Sequence, residues 1–215
     1  MVLWREYFPR EGQRALLAEV LAGVEAAPFY KPVMPKSGKP FSVEETNFGP
    51  LGWISDRDGY RYAPLYPYTE KPWPDIRPRC LRCGMRSRIT PRRRNAAWSI
   101  SIADPRRWAR TRNRDEQATE APVVSVSLGD DALFRFGGTT RKGPTQSITL
   151  SSGDVLVFGG PARLMFHGID RVVGGSSGSS PWRAPKPDAE TDNQLLRWSR
   201  GLTQTASHFG GPRSG

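Results

Sequence analysis

Histidine and cysteine are scarce in this chain: two of each, His167 and His208, Cys80 and Cys83. Imidazole and thiolate are the side chains that most often hold a transition metal, so these four positions come first. Cys80 and Cys83 have the spacing of half a zinc site. A structural zinc site takes four ligands, and the sequence offers no second pair nearby, so zinc is not expected. Two cysteines also make no disulfide framework. His167 closes the run Arg163-Leu164-Met165-Phe166-His167. Taken alone, it reads as a hydrogen-bonded core histidine on a strand. Trp53 and Tyr60 lie in a stretch dense in Pro, Gly and aromatics, residues 29–73. Taken alone, they read as core.

Charge is concentrated rather than spread. The net charge is +11, yet 13 Arg and a single acid, Asp104, fall between Arg77 and Arg114, and the rest of the chain is close to balanced. Clustered cations release counterions from phosphates and so suggest nucleic acid; a solvated or disordered segment is the plainer reading of such a block. The length of 215 residues and an apolar fraction of 37% fit one soluble domain, or two small ones. No apolar run approaches the roughly 18–20 residues of a membrane span. The charged start, Met1 to Glu6, lacks a signal peptide's apolar stretch. No membrane partner is expected, and the localisation expected is cytoplasmic.

The elements that must position these residues are mostly strands. Residues 11–26 read as a helix, with Leu16, Leu17, Val20, Leu21 and Val24 at three- and four-residue spacings and Pro28 behind them. Val123 to Leu128 alternates, Gly129-Asp130-Asp131 turns, and Ala132 to Phe136 returns as in a hairpin. Ser147 to Leu150, the turn Ser151 to Asp154, and Val155 to Phe158 repeat that layout. Short strands at even spacing with Gly-rich turns predict an antiparallel sandwich or barrel. Beyond Gly174 the Gly, Ser, Pro and Arg content predicts a disordered tail.

Three stretches together resemble the AlkB family of Fe(II)- and 2-oxoglutarate-dependent dioxygenases. The first holds Thr46-Asn47, Leu51-Gly52-Trp53, Gly59-Tyr60-Arg61-Tyr62 and Lys71-Pro72-Trp73-Pro74. The second runs from Ala121 to Gly129 and includes Phe134-Arg135-Phe136-Gly137-Gly138. The third joins Ser152-Gly153-Asp154-Val155 to Gly159 through Ile169. The resemblance implies a mainly β fold, a double-stranded β-helix (jelly roll) with an N-terminal helix and a substrate-recognition lid. It implies Fe(II) as cofactor, with 2-oxoglutarate and O2 as cosubstrates. The iron is held by a His-x-Asp pair and a distant His, a facial triad that leaves positions open. His167 matches the distant ligand. Trp53 and Tyr60 match the base-recognition region, where aromatics surround a base taken out of the stack. Asp115, followed by Glu116, matches an acid that contacts the flipped base, and Arg141 matches a substrate-side arginine. The implied partner is alkylated DNA, with RNA not separated from it, and the implied form is a monomer.

The sequence departs from the family where its chemistry is densest. The His-x-Asp pair should precede Asp115-Glu116, but Thr111-Arg112-Asn113 stands there. Thr111 and Asn113 thus occupy two ligand positions and are not expected to bind iron well. The family's Arg-x-Asn-x-Thr-x-Arg strand, whose arginine grips the cosubstrate carboxylate as a bidentate fork, is absent. Both departures fit a shifted reading frame. Codons able to encode Ala184 to Thr191, read one base later, give Arg-Leu-Asn-Leu-Thr-Leu-Arg. Codons for Trp98 to Asn113, read out of step, give an Asn-Phe-Tyr strand and then a His-Gln-Asp pair. A base lost near Arg77 and one gained near Asn113 would preserve the spacing to Asp115. The expected organisation is a dioxygenase domain over 1–175, with 78–113 out of frame, and an out-of-frame tail over 176–215. Irregular structure is expected across 78–113 and 176–215.

The function implied is oxidative demethylation of N-alkylated bases of the 1-methyladenine and 3-methylcytosine type in DNA repair, impaired in this chain as written. The alternative is an iron-deficient, non-catalytic nucleic-acid-binding relative. A jelly-roll enzyme acting on a protein or small molecule is a third reading, disfavoured by Trp53, Tyr60 and Arg141.

Overall fold

The computed structural model describes residues 1–75 and 122–176 in full, and the backbone alone of two further strands, 96–103 and 202–208. In chain order the elements are β1 (Val2–Trp4), α1 (Arg10–Ala26), β2 (Val43–Phe48), β3 (Gly52–Asp56), β4 (Gly59–Ala63), β5 (Ala96–Ala103), β6 (Val123–Leu128), β7 (Asp131–Gly137), β8 (Thr145–Leu150), β9 (Val155–Phe158), β10 (His167–Val173) and β11 (Leu202–His208). They form a six-stranded sheet ordered β1-β9-β6-β11-β5-β2, a three-stranded sheet ordered β10-β7-β8, and the hairpin β3-β4. Every named pairing is antiparallel. Among the described residues no helix is long and apolar enough to cross a membrane.

The packing follows from alternation along β6. Val124, Val126 and Leu128 meet Leu16, Val20 and Val24 of α1, together with Phe48 and Val155. Val123 faces the other way, into a second core with Leu156 and Phe158 of β9 and Ala132, Phe134 and Phe136 of β7. With period two along the strand, Ser125 and Ser127 share the face of Val123. Thus α1 covers the outer face of the large sheet, and the two sheets enclose the inner core. The helix spans one residue more than its periodicity predicts, and Leu16, Val20 and Val24 are buried as expected.

Two expected hairpins prove to be corners. Gly129 and Asp130 carry the chain from β6 in the large sheet to β7 in the small one, and Ser151 to Asp154 return it from β8 to β9. Alternation specifies a strand but not its partner. The second corner is built tightly. Gly153 has φ +90°, and a Cβ there would lie 2.6 Å from the Phe8 carbonyl oxygen. Buried Gln13 donates to that carbonyl (2.8 Å) and accepts from the Ser152 hydroxyl (2.7 Å), which itself accepts from the Gly129 N–H (3.1 Å). One helical side chain therefore ties both corners to α1.

The expectation of irregular structure across 78–113 and 176–215 does not hold at β5 and β11. The sequence of β5 alternates Trp98, Ile100 and Ile102 with serines, and β11 contains Thr203 and Thr205; both favour extended backbone whatever their origin. Moreover, β11 lies between β5 and β6 and pairs with each. The segment thus completes the interior of the large sheet rather than extending its edge.

Candidate active site

His167 opens β10 opposite Phe136 of β7. Its ring lies on the rings of Phe158 (centroids 4.9 Å apart, 28° between planes) and Phe134 (5.8 Å, 25°). Both phenylalanines belong to the inner core, so the imidazole faces the space between the sheets. Its Nδ1 is 2.9 Å from the Met165 carbonyl oxygen. A carbonyl only accepts, so Nδ1 carries the proton and Nε2 keeps its lone pair. Burial, and to a lesser degree the positive charge of Arg163, pushes the imidazole pKa down despite the Met165 bond. A neutral imidazole oriented by a backbone acceptor is the form that binds a metal. The short 3-10 helix Gly160–Leu164 before it buries Arg163 almost completely.

Arg141 sits in the loop after Gly137-Gly138, at the same end of the small sheet. Its guanidinium carbon is 5.9 Å from the centroid of the Phe166 ring. Backbone bonds from Gly137 N–H to the Phe166 carbonyl (2.8 Å) and from Phe166 N–H to the Gly138 carbonyl (3.1 Å) hold this loop against the residue preceding His167. Arg141 and His167 are therefore neighbours through Phe166.

Trp53 and Tyr60 meet across the β3-β4 hairpin, their rings stacked with centroids 5.7 Å apart and 17° between planes. Phe41 approaches Trp53 edge-on at 6.1 Å. Tyr60 is 48% exposed, whereas Trp73, Tyr66 and Tyr30 form a buried aromatic cluster with Ile54 and Ala27. The stretch 29–73 thus divides into core and surface aromatics, and the two residues matched to base recognition are among those left accessible.

Two features near this hairpin were not foreseen. Asn47 on β2 is fully buried and bonds both backbone polar groups of Trp53. Glu45, two residues earlier and therefore on the same face, is buried with Oε1 unpartnered among the described residues. Burial pushes its carboxyl up to about 8 from 4.5. Tyr30 beside it is also raised, by burial first and by Glu45 second. Glu44-Glu45 looks like an exposed acidic pair in the sequence; period two puts them on opposite faces of β2, and Glu45 falls on the face of buried Asn47.

Thr111, Asn113, Asp115 and the segment Ala184 to Thr191 lie outside the described residues, as do Cys80 and Cys83 and the side chain of His208. Among the described residues no group of three His, Cys, Asp or Glu could hold a metal ion. The donor set can be tested on what remains. His167 fits as one ligand in position, tautomer and charge. Thr111 and Asn113, which the resemblance matches to the other two positions, carry a hydroxyl and an amide in place of an imidazole and a carboxylate. Of the three positions matched to an iron triad, His167 alone lies among the described residues.

A jelly roll with an inward-facing histidine beside Gly-rich loops is the scaffold of the 2-oxoglutarate oxygenases. The family model of the 2OG-Fe(II) oxygenase superfamily matches residues 1–195. An α-ketoglutarate-dependent dioxygenase AlkB homolog of Caulobacter vibrioides is 44% identical over 181 residues, covering 83% of this chain and 81% of that protein. The α-ketoglutarate-dependent dioxygenase AlkB of Salmonella typhimurium is 36% identical over 178 residues, covering 81% of this chain and 82% of that protein. Among solved structures, OsALKBH1 superposes with a TM-score of 0.69 over 97% of this chain and 96% of that one at 20% identity, a likeness of fold. The chain belongs to the AlkB family of Fe(II)- and 2-oxoglutarate-dependent dioxygenases within this superfamily.

Proposed function

We propose that the reaction this fold serves is oxidative demethylation of N-alkylated bases in DNA repair, of the 1-methyladenine and 3-methylcytosine type, and that this chain as written performs it weakly or not at all. His167 carries the reading. It is a neutral, oriented imidazole at the position the family uses for iron, while Thr111 and Asn113 stand where its two partners belong. The Trp53–Tyr60 stack supports a flat base as substrate, since every base offers a face to an aromatic ring. Arg141 beside Phe166 supplies a cation near the same end of the sandwich, suited to a nucleic-acid backbone. A monomer in the cytoplasm with alkylated DNA as partner completes the proposal.

The test compares the chain with its Thr111→His/Asn113→Asp variant. Fe(II) is titrated in the presence of 2-oxoglutarate without oxygen, and formaldehyde release from a 1-methyladenine oligonucleotide is then measured in air. The chain as written should release none above background, and the double replacement should raise iron affinity at least tenfold, within the usual range for restoring metal-site residues. Formaldehyde release by the unaltered chain at the rate of the Caulobacter protein would overturn the impairment. Resequencing the codons for residues 75–118 and 174–195 then separates a shifted frame from a natural iron-deficient chain.

A second reading, an iron-deficient nucleic-acid-binding protein, is supported by the Trp53–Tyr60 stack together with Thr111 and Asn113 at the sequence positions matched to iron ligands. It expects steeply salt-dependent binding with no iron uptake.

A further inference from the structure

Trp53 lies on β3, whose strand partner among the described residues is β4, with Trp53 opposite Tyr62. Its own N–H and carbonyl point away from β4, as at a non-hydrogen-bonded pair of an antiparallel ladder, and one side chain on the other side bonds both. The Asn47 amide donates from Nδ2 to the Trp53 carbonyl (2.9 Å), and the Trp53 N–H donates back to Asn47 Oδ1 (3.1 Å). The amide thus takes the place of a neighbouring strand for a single residue. The Tyr30 hydroxyl donates to the same carbonyl at 3.2 Å. Gly52, immediately before, has no room for a Cβ: one would lie 2.4 Å from the Trp73 ring and 2.6 Å from Asn47 Cβ. The backbone at Trp53 is therefore fixed from three directions, and its indole is further flanked by Tyr60 and Phe41.

We propose that Asn47, assisted by Tyr30, is a positioning residue that sets the indole of Trp53 for contact with an alkylated base. This rests on the reading of Trp53 as a base-contacting residue. The chemistry explains why an amide is needed. Trp53 presents one donor and one acceptor in a fixed arrangement, and a primary amide is the short side chain that answers both. A carboxylate would keep the bond from the Trp53 N–H but would face the Trp53 carbonyl with like partial charge. Alanine would leave the Trp53 N–H without its partner and the carbonyl with the Tyr30 hydroxyl alone. The lid hairpin has an exposed outer ring, Tyr60, on two strands, a sheet that is marginal by itself. An anchor on β2 of the large sheet gives the recognition aromatic the rigidity of the domain core, which lets binding proceed without the cost of ordering that side chain.

The test uses the full chain labelled with 5-fluorotryptophan. The chain has seven tryptophans, and the Trp53 fluorine line is assigned by its absence from the Trp53→Phe variant. In Asn47→Ala and Asn47→Asp the Trp53 line should shift and broaden while the remaining lines stay in place. A Trp53 line that does not move overturns the proposal, as does a general shift of all lines. Binding of single-stranded oligonucleotides, with and without one 1-methyladenine, is then followed by fluorescence anisotropy without metal. Asn47→Ala should reduce the preference for the methylated strand by about fivefold, the low end of what an aromatic–base stack contributes. It should have no further effect in a Trp53→Ala background, and an equal loss there overturns the proposal. Should the Asn47 variants fail to fold, Tyr30→Phe removes one of the three bonds and is read by the same two assays, with a smaller change of the same kind. If Trp53→Ala leaves the preference untouched, the base-contact reading falls, and the fluorine line alone decides whether Asn47 holds the indole.

Discussion

Replacing Glu45 by glutamine isolates one buried carboxyl. Its pKa lies at about 8 in the folded chain against 4.5 in the reference state, because burial disfavours the charged form. Over that interval the folded state holds a proton that the unfolded state releases. The stability associated with Glu45 is therefore fully present below about 4.5 and is lost as pH rises towards 8. Each pH unit in the window costs about 1.4 kcal/mol, so roughly 3 kcal/mol is lost between about pH 5 and about pH 7.5. Glutamine keeps the shape and cannot ionise, at the expense of burying an amide that needs partners, about 1 kcal/mol. E45Q should then be near neutral or slightly destabilising at about pH 5 and more stable than the parent by on the order of 2 kcal/mol at about pH 7.5. Urea unfolding followed by circular dichroism at the two pH values measures both. If the parent and E45Q lose stability with pH along parallel lines, Glu45 is not the buried acid described here, and the argument from its burial fails.

Three further perturbations address other parts of the molecule. Gly153→Ala forces a Cβ against the Phe8 carbonyl at a positive φ; a loss of about 2–4 kcal/mol in urea unfolding is expected, and a neutral result would mean the corner yields easily. Phe158→Ala removes a core ring and one face of the His167 stack. It should cost about 3–5 kcal/mol, with the His167 ring proton resonances losing the ring-current shift that a ring 4.9 Å away imposes. Tyr60→Ala strips an exposed ring from the hairpin. It should weaken binding of a methylated single strand by about 1–3 kcal/mol while leaving the unfolding midpoint almost unchanged, and a large midpoint shift would assign Tyr60 a structural role instead.

What the sequence made legible was local. The three- and four-residue spacing from Leu16 to Val24 located α1, and alternation located β6, β7, β8 and β9. Partnership was not legible, because a Gly-Asp turn is equally suited to a hairpin and to a corner between sheets; both corners were misread for that reason. Strands at β5 and β11 were missed because composition pointed to a shifted frame, whereas extended backbone needs only a short β-favouring run beside an open edge. His167, Trp53, Tyr60 and Arg141 were picked out by resemblance rather than by pattern, since each alone is an ordinary core or surface residue. The structure brings Trp53 to Tyr60 and Arg141 to the neighbour of His167. Asn47 belongs to a stretch that carries the resemblance but had no role assigned to it, and Glu45 carried no signal; their importance comes from what β3 and Tyr30 place against them.

The two-sided covering of β6 has a kinetic consequence. Its amides are enclosed by α1 on one face, by the small sheet on the other, and by β9 and β11 along its edges. Their exchange with deuterated water should need opening of the whole domain, so their rates report global unfolding. β4 has, among the described residues, β3 as its one strand partner and carries an exposed ring; its amides should exchange through far cheaper local excursions than those of β6, while the Trp53 N–H, held by buried Asn47, should be slower than its neighbours on β4. One deuterium-exchange time course therefore separates the breathing of the recognition hairpin from the unfolding of the fold that carries it, on the same molecules and under the same conditions.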